Sequence, residues 1–272
     1  MNAAPKLVAF DVDGTLVGRD LVIASGVRDA VSRMRHAGTE GCLVTGRMYR
    51  ATIPFARELE LDGPIVCYQG AAIIDPGTDE VLYHAALSNE IVRELIAVTE
   101  RDRMHLQLYR NDEYYCETRN RFSDLYASLS MSQPVIVPSL REAFAYSPAT
   151  KAVIIADEPK AAEYAQKLAA IVGGRANVTR SLPEFVEVLD PAVDKGAALR
   201  FVAARLGVEM ERTMAIGDSW NDAPLLEAAG FAVAMGSSPP ELRDIADAVV
   251  GDVAHDGVVE AIERYVLAPS PR

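Results

Sequence analysis

The sequence predicts an α/β protein: a parallel-sheet core interrupted by an inserted α+β module. Three observations point there. Short apolar runs alternate with amphipathic stretches over the first third of the chain. Paired strand patterns replace that rhythm in the middle, and the first rhythm returns after Pro191.

In chain order, KLVAF (6–10) reads as a buried strand, and ASGVRDAVSRMRHAG (24–38) as an amphipathic helix ending at Gly38. EGCLVTG (40–46) is a second strand and MYRATIPFARELEL (48–61) a second helix, despite Pro54. PIVCYQGA (64–71) is a third strand, and AAIID and EVLYH flank the turn PGTD as a hairpin. Strands separated by helices imply right-handed βαβ units.

In the middle, SNEIVRELIAVTERD (88–102) is helical with Ser88 as its cap, and MHLQLYR pairs with EYYCET around Asn111-Asp112. Residues 119–148, with Pro134, Pro138 and Pro148, give no clear pattern. KAVIIAD (151–157), the helix PKAAEYAQKLAAIVG (159–173), NVTRS and EFVEVLD then read as an α+β module with an antiparallel sheet. After Pro191 come the helix DKGAALRFVAARLG (194–207), the strand TMAIG (213–217), the helix APLLEAAG (223–230) and the strand FAVAMG (231–236). PPELRDIADAVV and DGVVEAIERYVL complete the set, and only the tail APSPR reads as loose. The expected organisation is a core of residues 1–83 and 190–272, with residues 84–189 inserted. No internal repeat or low-complexity segment interrupts it.

With 272 residues, half of them hydrophobic, the chain can bury a substantial core. A formal charge of −12 argues against broad affinity for nucleic acid or acidic membranes, while leaving room for an anionic small molecule beside a local cation. Three cysteines, far apart and without CxxC spacing, suit a reducing compartment and neither a disulfide framework nor a zinc site. MNAAPK leads into a strand without a cleavable apolar segment, and no apolar run reaches about 18 residues. A cytoplasmic protein without an obligate protein partner is expected.

Asp11 and Asp13 stand two apart at the mouth of a buried strand, followed by Gly14 and Thr15. Two unit charges about 4 Å apart repel by about 4 kcal/mol at an effective dielectric near 20, so something must offset them. In an open parallel sheet, functional loops lie at the carboxyl ends of the strands. DVDGT (11–15), TGR (45–47), DKG (194–196) and GDSWND (217–222) all fall there or at the start of an adjacent helix. If they converge, Asp11, Asp13 and Asp218 make an oxygen-rich site for a hard divalent cation, which magnesium suits. Lys195 adds a compact positive charge. An ionised Asp11 needs no base before attacking phosphorus, and Asp13 can protonate the leaving oxygen and then deprotonate water. Thr45 can donate its hydroxyl to a transferring phosphoryl group, helped by the amides of Val12 and Gly46, while Gly14 turns the chain tightly away.

These four segments, in this order and spacing, resemble the four motifs of the haloacid dehalogenase (HAD) superfamily, phosphatase branch. VCYQGAAIID, the insertion point and AMGSSPPELRDIADAVV resemble its Cof-type subgroup. The resemblance covers almost the whole chain. It implies a Rossmann-like parallel-sheet HAD core with an inserted α+β cap domain, and a Mg2+-dependent phosphatase of small phosphorylated metabolites. Sugar phosphates lead that class, followed by nucleotides, with an aspartyl-phosphate intermediate. By position, Asp11 becomes nucleophile and metal ligand, and Asp13 the acid/base that also ligates metal through its carbonyl. Thr45 becomes the phosphate-binding hydroxyl, Lys195 the neutralising lysine and Asp218 the third metal ligand. Asn221 would contact phosphate or hold a metal-bound water, Asp222 would orient Lys195 or support the metal site, and Arg47 would face substrate. Ser219, with no histidine in motif spacing, is expected behind the ligands and not as a nucleophile. Two positions depart from the pattern: Gln69 stands where the family has Asn, and Ser237 follows Gly236 where it has Asn.

Plainer readings exist for each residue. Asp-Gly is a common turn signal, a lysine opening a helix is usually solvated, and Thr45 could merely cap the helix near Met48. The joint presence of DVDGT and GDSWND favours the chemical reading. Trp220 is expected to pack beside the site. The four scattered histidines are expected in surface or packing roles, although His84 and His105 could touch substrate. Tyr109, Tyr114 and Tyr115 are expected in a strand-face core. Two rivals stay open: a phosphomutase of the same superfamily, and a non-catalytic regulator that binds a phosphometabolite.

Overall fold

The computed structural model describes residues 4–268, so the first residues of MNAAPK and the tail from Pro269 lie outside the described residues. The chain opens with β1 (Leu7–Phe10), α1 (Ser25–His36), β2 (Glu40–Leu43), α2 (Tyr49–Glu58), β3 (Ile65–Cys67), β4 (Ala72–Ile74) and β5 (Val81–His84). There follow α3 (Asn89–Asp102), β6 (His105–Arg110), β7 (Glu113–Cys116), α4 (Arg121–Ser130), β8 (Val135–Ile136), α5 (Leu140–Ala143), β9 (Lys151–Ile155), α6 (Lys160–Val172), β10 (Asn177–Leu182) and β11 (Phe185–Leu189). It closes with α7 (Lys195–Leu206), β12 (Thr213–Gly217), α8 (Ala223–Ala228), β13 (Phe231–Ala234), α9 (Pro240–Asp244), β14 (Ala248–Val249) and α10 (Gly257–Ile262).

Strands β14-β13-β12-β1-β2 form a five-stranded parallel sheet in that order. A parallel bridge from Val44 to Val66 leads on to β3, which turns into the antiparallel β3-β4-β5 sheet. The chain therefore winds outward from β1 on one side and returns on the other through β12. This places a topological switch point, and the crevice that goes with it, at the carboxyl end of β1. β1 is fully buried, which accounts for its unbroken apolar sequence.

The inserted segment forms a six-stranded sheet, β10-β11-β9-β6-β7-β8, antiparallel except for the β7–β8 edge. Side chains alternate across it. Leu106, Leu108, Ala152, Ile154, Val186 and Val188 pack with α3 and α6, whereas Tyr109, Val153, Ile155, Phe185 and Leu189 join the cluster that continues into the parallel-sheet core. The unclear stretch 119–148 holds α4, whose Asn120 and Ser123 form a reciprocal capping box. Tyr109 and Tyr114 are fully buried and stack, consistent with the core role expected of them. Among the described residues, no helix is long and apolar enough to cross a membrane.

Candidate active site

Asp11 follows β1 directly, and its amide donates to the Ile216 carbonyl at 3.0 Å, keeping the loop between β12 and β2. Gly14 has φ +83°, and a Cβ there would stand 2.2 Å from an Asp218 carboxylate oxygen. Glycine is therefore what lets DVDGT lie against GDSWND. Thr15 reaches the same carboxylate, with its hydroxyl 3.4 Å from Asp218 Oδ1.

Lys195 opens α7, whose N-cap Asp194 accepts from the Ala197 amide at 2.6 Å. A cation at a helix N-terminus sits at the wrong end of the macrodipole, so this lysine needs other partners. It has two: Nζ donates to Asp11 Oδ1 and to Asp222 Oδ1, each at 2.5 Å, in full burial. Burial opposes its charge, but the two carboxylates outweigh that and hold the ammonium above its usual range. The other Asp222 oxygen accepts from the amides of Asp218 and Ser219, at 3.0 Å each, and so fixes the loop after β12.

Carboxylate oxygens of Asp11, Asp218 and Asp222 lie within 4.8 Å of one another. Without a further cation the cluster is over-supplied with negative charge. Burial, reinforced by the neighbouring Asp222 and Asp13 and only partly opposed by Lys195, pushes Asp11 up to about 7. Burial together with Asp11 and Asp222 pushes Asp218 up to about 9. A hard divalent cation fits this donor set, since it favours the ionised form of every member.

Arg47 clasps Asp13 through two bonds, Nε to Oδ2 at 2.7 Å and Nη2 to Oδ1 at 2.6 Å. Its Nη1 is buried and has no partner among the described residues. Asn221 is the counterpart of opposite sign, with a buried Oδ1 that lacks a partner among the described residues. Both line one cavity of about 70 Å³ with Asp11, Asp13, Thr45 and Asp218. An orphan donor and an orphan acceptor in one wall each cost about 1–3 kcal/mol. The pair suits a ligand with both anionic and cationic parts.

The four motif segments thus meet in one place: Gly46 and Ser219 line the cavity, while Lys195 and Asp222 lie behind its wall and reach it through Asp11. Val12 is buried away from it; its carbonyl accepts from the amides of Leu16 and Val17. Thr45 lines the cavity and does not cap α2: its Oγ1 accepts from the Arg47 amide at 3.2 Å. The first amides of α2 are held instead by the Asp112 carboxylate of the β6–β7 turn, 2.9 Å from the amides of both Tyr49 and Arg50. Trp220 departs from expectation: it lies outside this cavity, 41% exposed, with the Arg180 guanidinium over its ring. His84 bonds Thr150, and His105 bonds Asn120 and Gln107; neither lines the cavity.

Sequence reasoning missed the wall that residues 84–189 contribute, chiefly Tyr126 from α4 and Lys151, Phe185 and Glu187 from the six-stranded sheet. A signal was available. Lys151 and Glu187 are charges inside the apolar runs KAVII and FVEVL, and strand alternation puts Glu187 on the same face as Phe185.

The match to a family model settles the kinship: residues 8–262 fit the haloacid dehalogenase-like hydrolases. The chain belongs to that family. This hydrolase is 28% identical over 270 residues to the 5-amino-6-(5-phospho-D-ribitylamino)uracil phosphatase YitU of Bacillus subtilis, covering 97% of this chain and 99% of that one. It is 27% identical over 263 residues to the HMP-PP phosphatase of Cronobacter sakazakii, covering 97% and 93%. Among solved structures, a haloacid dehalogenase-like hydrolase from Bacteroides thetaiotaomicron superposes on it with a TM-score of 0.84 at 30% identity, covering 96% and 99%.

Proposed function

We propose that this hydrolase is a Mg2+-dependent phosphatase of small phosphorylated metabolites, sugar phosphates first and nucleotides second, acting through an aspartyl-phosphate on Asp11. One observation carries the reading: a buried Asp11 carboxylate, tied to Lys195 at 2.5 Å, shares its cavity with Asp218 and Asp13. The phosphatase names of relatives matched along nearly their whole length support the reaction class. The cavity of about 70 Å³ supports small substrates, since it has room for roughly five to seven water-sized groups.

Asp11, Asp218 and the Asp13 carbonyl would hold the magnesium, whose charge would let a phosphate dianion approach a carboxylate. Lys195 holds Asp11 Oδ1, which leaves Oδ2 to attack phosphorus. As that Oδ2–P bond forms, the bond from phosphorus to the leaving oxygen breaks, and Asp13 delivers a proton to that oxygen. Asp13 then takes a proton from water, which attacks the aspartyl-phosphate and returns the Asp11 carboxylate with release of phosphate. Both Asp13 oxygens accept from Arg47, so Asp13 must give up at least one of these bonds and take up a proton, from solvent or from a phosphate monoanion, before it donates one to the leaving oxygen. An arriving phosphoryl group supplies an acceptor for the guanidinium, including its unpartnered Nη1, and thereby frees Asp13. Thr45 Oγ1, Lys195 and the loop amides surround the transferring group. Residues 84–189 act in this reading as a cap whose sheet face excludes bulk water.

Phosphate release from p-nitrophenyl phosphate and a panel of sugar phosphates and nucleotides tests the reading, with magnesium, with chelator, and with Asp11→Asn. Turnover should require the metal, and Asp11→Asn should lower it by at least ~10⁴-fold while the protein stays folded. Phosphoryl transfer between sugar hydroxyls with little free phosphate would point to the mutase. Tight binding without turnover would point to the regulator.

A further inference from the structure

Four buried side chains form a hydrogen-bonded row from the inserted sheet into the candidate site. Lys151 Nζ donates to Glu187 Oε2 at 2.6 Å and to the Gly46 carbonyl at 2.7 Å. Gln69 Nε2 donates to Glu187 Oε1 at 3.1 Å, and Asn221 Nδ2 donates to Gln69 Oε1 at 2.9 Å. All four are at most 8% exposed. Gln69 is held in the left-handed region at φ +62°, and Gly46 makes room for it: a Cβ at Gly46 would stand 2.3 Å from Gln69 Nε2. Such a conformation is unfavourable for a glutamine, so the placement of this carboxamide is over-determined by its surroundings.

The direction of the row follows from its first member. A lysine ammonium only donates, and the carboxylate paired with it only accepts. Glu187 must therefore receive the amide end of Gln69, which turns the Gln69 carbonyl toward Asn221. That carbonyl must in turn receive the amide end of Asn221. What remains is Asn221 Oδ1, an acceptor, buried and without a partner among the described residues, on a side chain of the cavity wall.

We infer that Lys151, Glu187 and Gln69 are positioning residues that fix the amide of Asn221 with its oxygen toward the site, where it serves the bound cation or its water shell and not a phosphate oxygen. This deepens the reading above and rests on its magnesium site. Because Lys151 and Glu187 belong to the inserted sheet while Gln69 and Asn221 belong to the parallel-sheet segments, docking of that sheet sets the polarity. Seating the sheet on the core completes the oxygen set.

An isosteric change reverses the row. In Glu187→Gln, Lys151 takes the new carbonyl, so the new amide faces Gln69. Gln69 then turns over, and so does Asn221, which now offers N–H to the site. The measurement is Mg2+ affinity by titration calorimetry on the full chain, without substrate. Glu187→Gln should weaken Mg2+ about tenfold. Adding Asn221→Asp to it should restore affinity to within about twofold, because the introduced carboxylate accepts from the turned Gln69 with one oxygen and offers the other to the site. Asn221→Asp alone should show no such gain, since Gln69 would then lie between two carboxylates. Wild-type affinity in Glu187→Gln, or no recovery in the double variant, overturns the inference. Should Glu187→Gln fail to fold by its thermal transition, Gln69→Leu cuts the row while leaving the ion pair intact. Affinity should then fall several-fold, and unchanged affinity overturns the inference. If the wild type itself binds no Mg2+, the proposed function and this inference fall together.

Discussion

Raising the pH of the metal-free enzyme should destabilise it, and magnesium should reverse the effect. In the folded chain Asp11 stands at about 7 and Asp218 at about 9, against 3.8 for an ordinary Asp. A carboxyl with a raised folded pKa binds more protons folded than unfolded, so stability is full below the unfolded value and is lost as pH rises through the folded one. Asp11 alone accounts for on the order of 4 kcal/mol, nearly all of it lost between pH 4 and 7. Asp218 carries the decline on from pH 7 to 9, on the order of 3 kcal/mol, the two titrating as a pair. At about 2–4 °C per kcal/mol for a chain of this size, the pH 7 to 9 part corresponds to a fall of roughly 6–12 °C in Tm. His84 and His105, whose pKa values burial lowers, pull the other way below their usual 6.5, and the thiols of Cys42, Cys67 and Cys116, which burial raises, add to the decline near pH 9, so from pH 7 to 9 it is the difference between the chelator and Mg2+ curves that isolates the carboxylates. The assay is Tm by circular dichroism at half-unit steps, in chelator and in saturating Mg2+. The Mg2+-induced rise in Tm should grow with pH, and Asp218→Asn should flatten the chelator curve. A chelator Tm that stays level or climbs from pH 7 to 9 would refute the electrostatic account of the cluster.

Lys195→Met should cost about 3–5 kcal/mol, since it strands Asp11 and Asp222 in burial; urea denaturation at pH 7 reads this, and the loss should shrink below pH 5. Gly14→Ala drives a methyl into the Asp218 carboxylate from a left-handed backbone, so calorimetry should find Mg2+ binding weakened at least tenfold. Asp112→Ala removes the only side-chain cap of α2 among the described residues and should cost about 1–2 kcal/mol in a thermal or urea transition.

Much of the core was legible because its signals are local. β1 is an unbroken apolar run and β12 one after its opening Thr213, and the polar residues that follow them are the ones a parallel sheet exposes at its carboxyl edge. Ser88 and Asp194 announce helices and do cap them, and Asn111-Asp112 makes the tight turn that its composition implies, with φ of +53° and +56°. Helix α4 carries two signals that the surrounding prolines obscured: Asn120 and Ser123 form its capping box, and Phe122, Leu125, Tyr126 and Leu129 recur at helical spacing as an apolar stripe that packs on the core.

What could not be read is the set of contacts that join distant segments, because no local pattern encodes a partner more than a hundred residues away. Arg47 matched a motif that suggested substrate, yet it rests on Asp13, and only the folded chain shows that one of its nitrogens is still unclaimed. Gln69 stood out in the sequence only as a departure from a family pattern. Its chemistry depends on Glu187, 118 positions away, and on Asn221, 152 positions away. A glutamine reaches further than an asparagine and has the same two-ended amide, so the substitution keeps a donor at one end and an acceptor at the other while lengthening the span. The departure therefore preserves the feature the site needs, which is the direction of its hydrogen bonds.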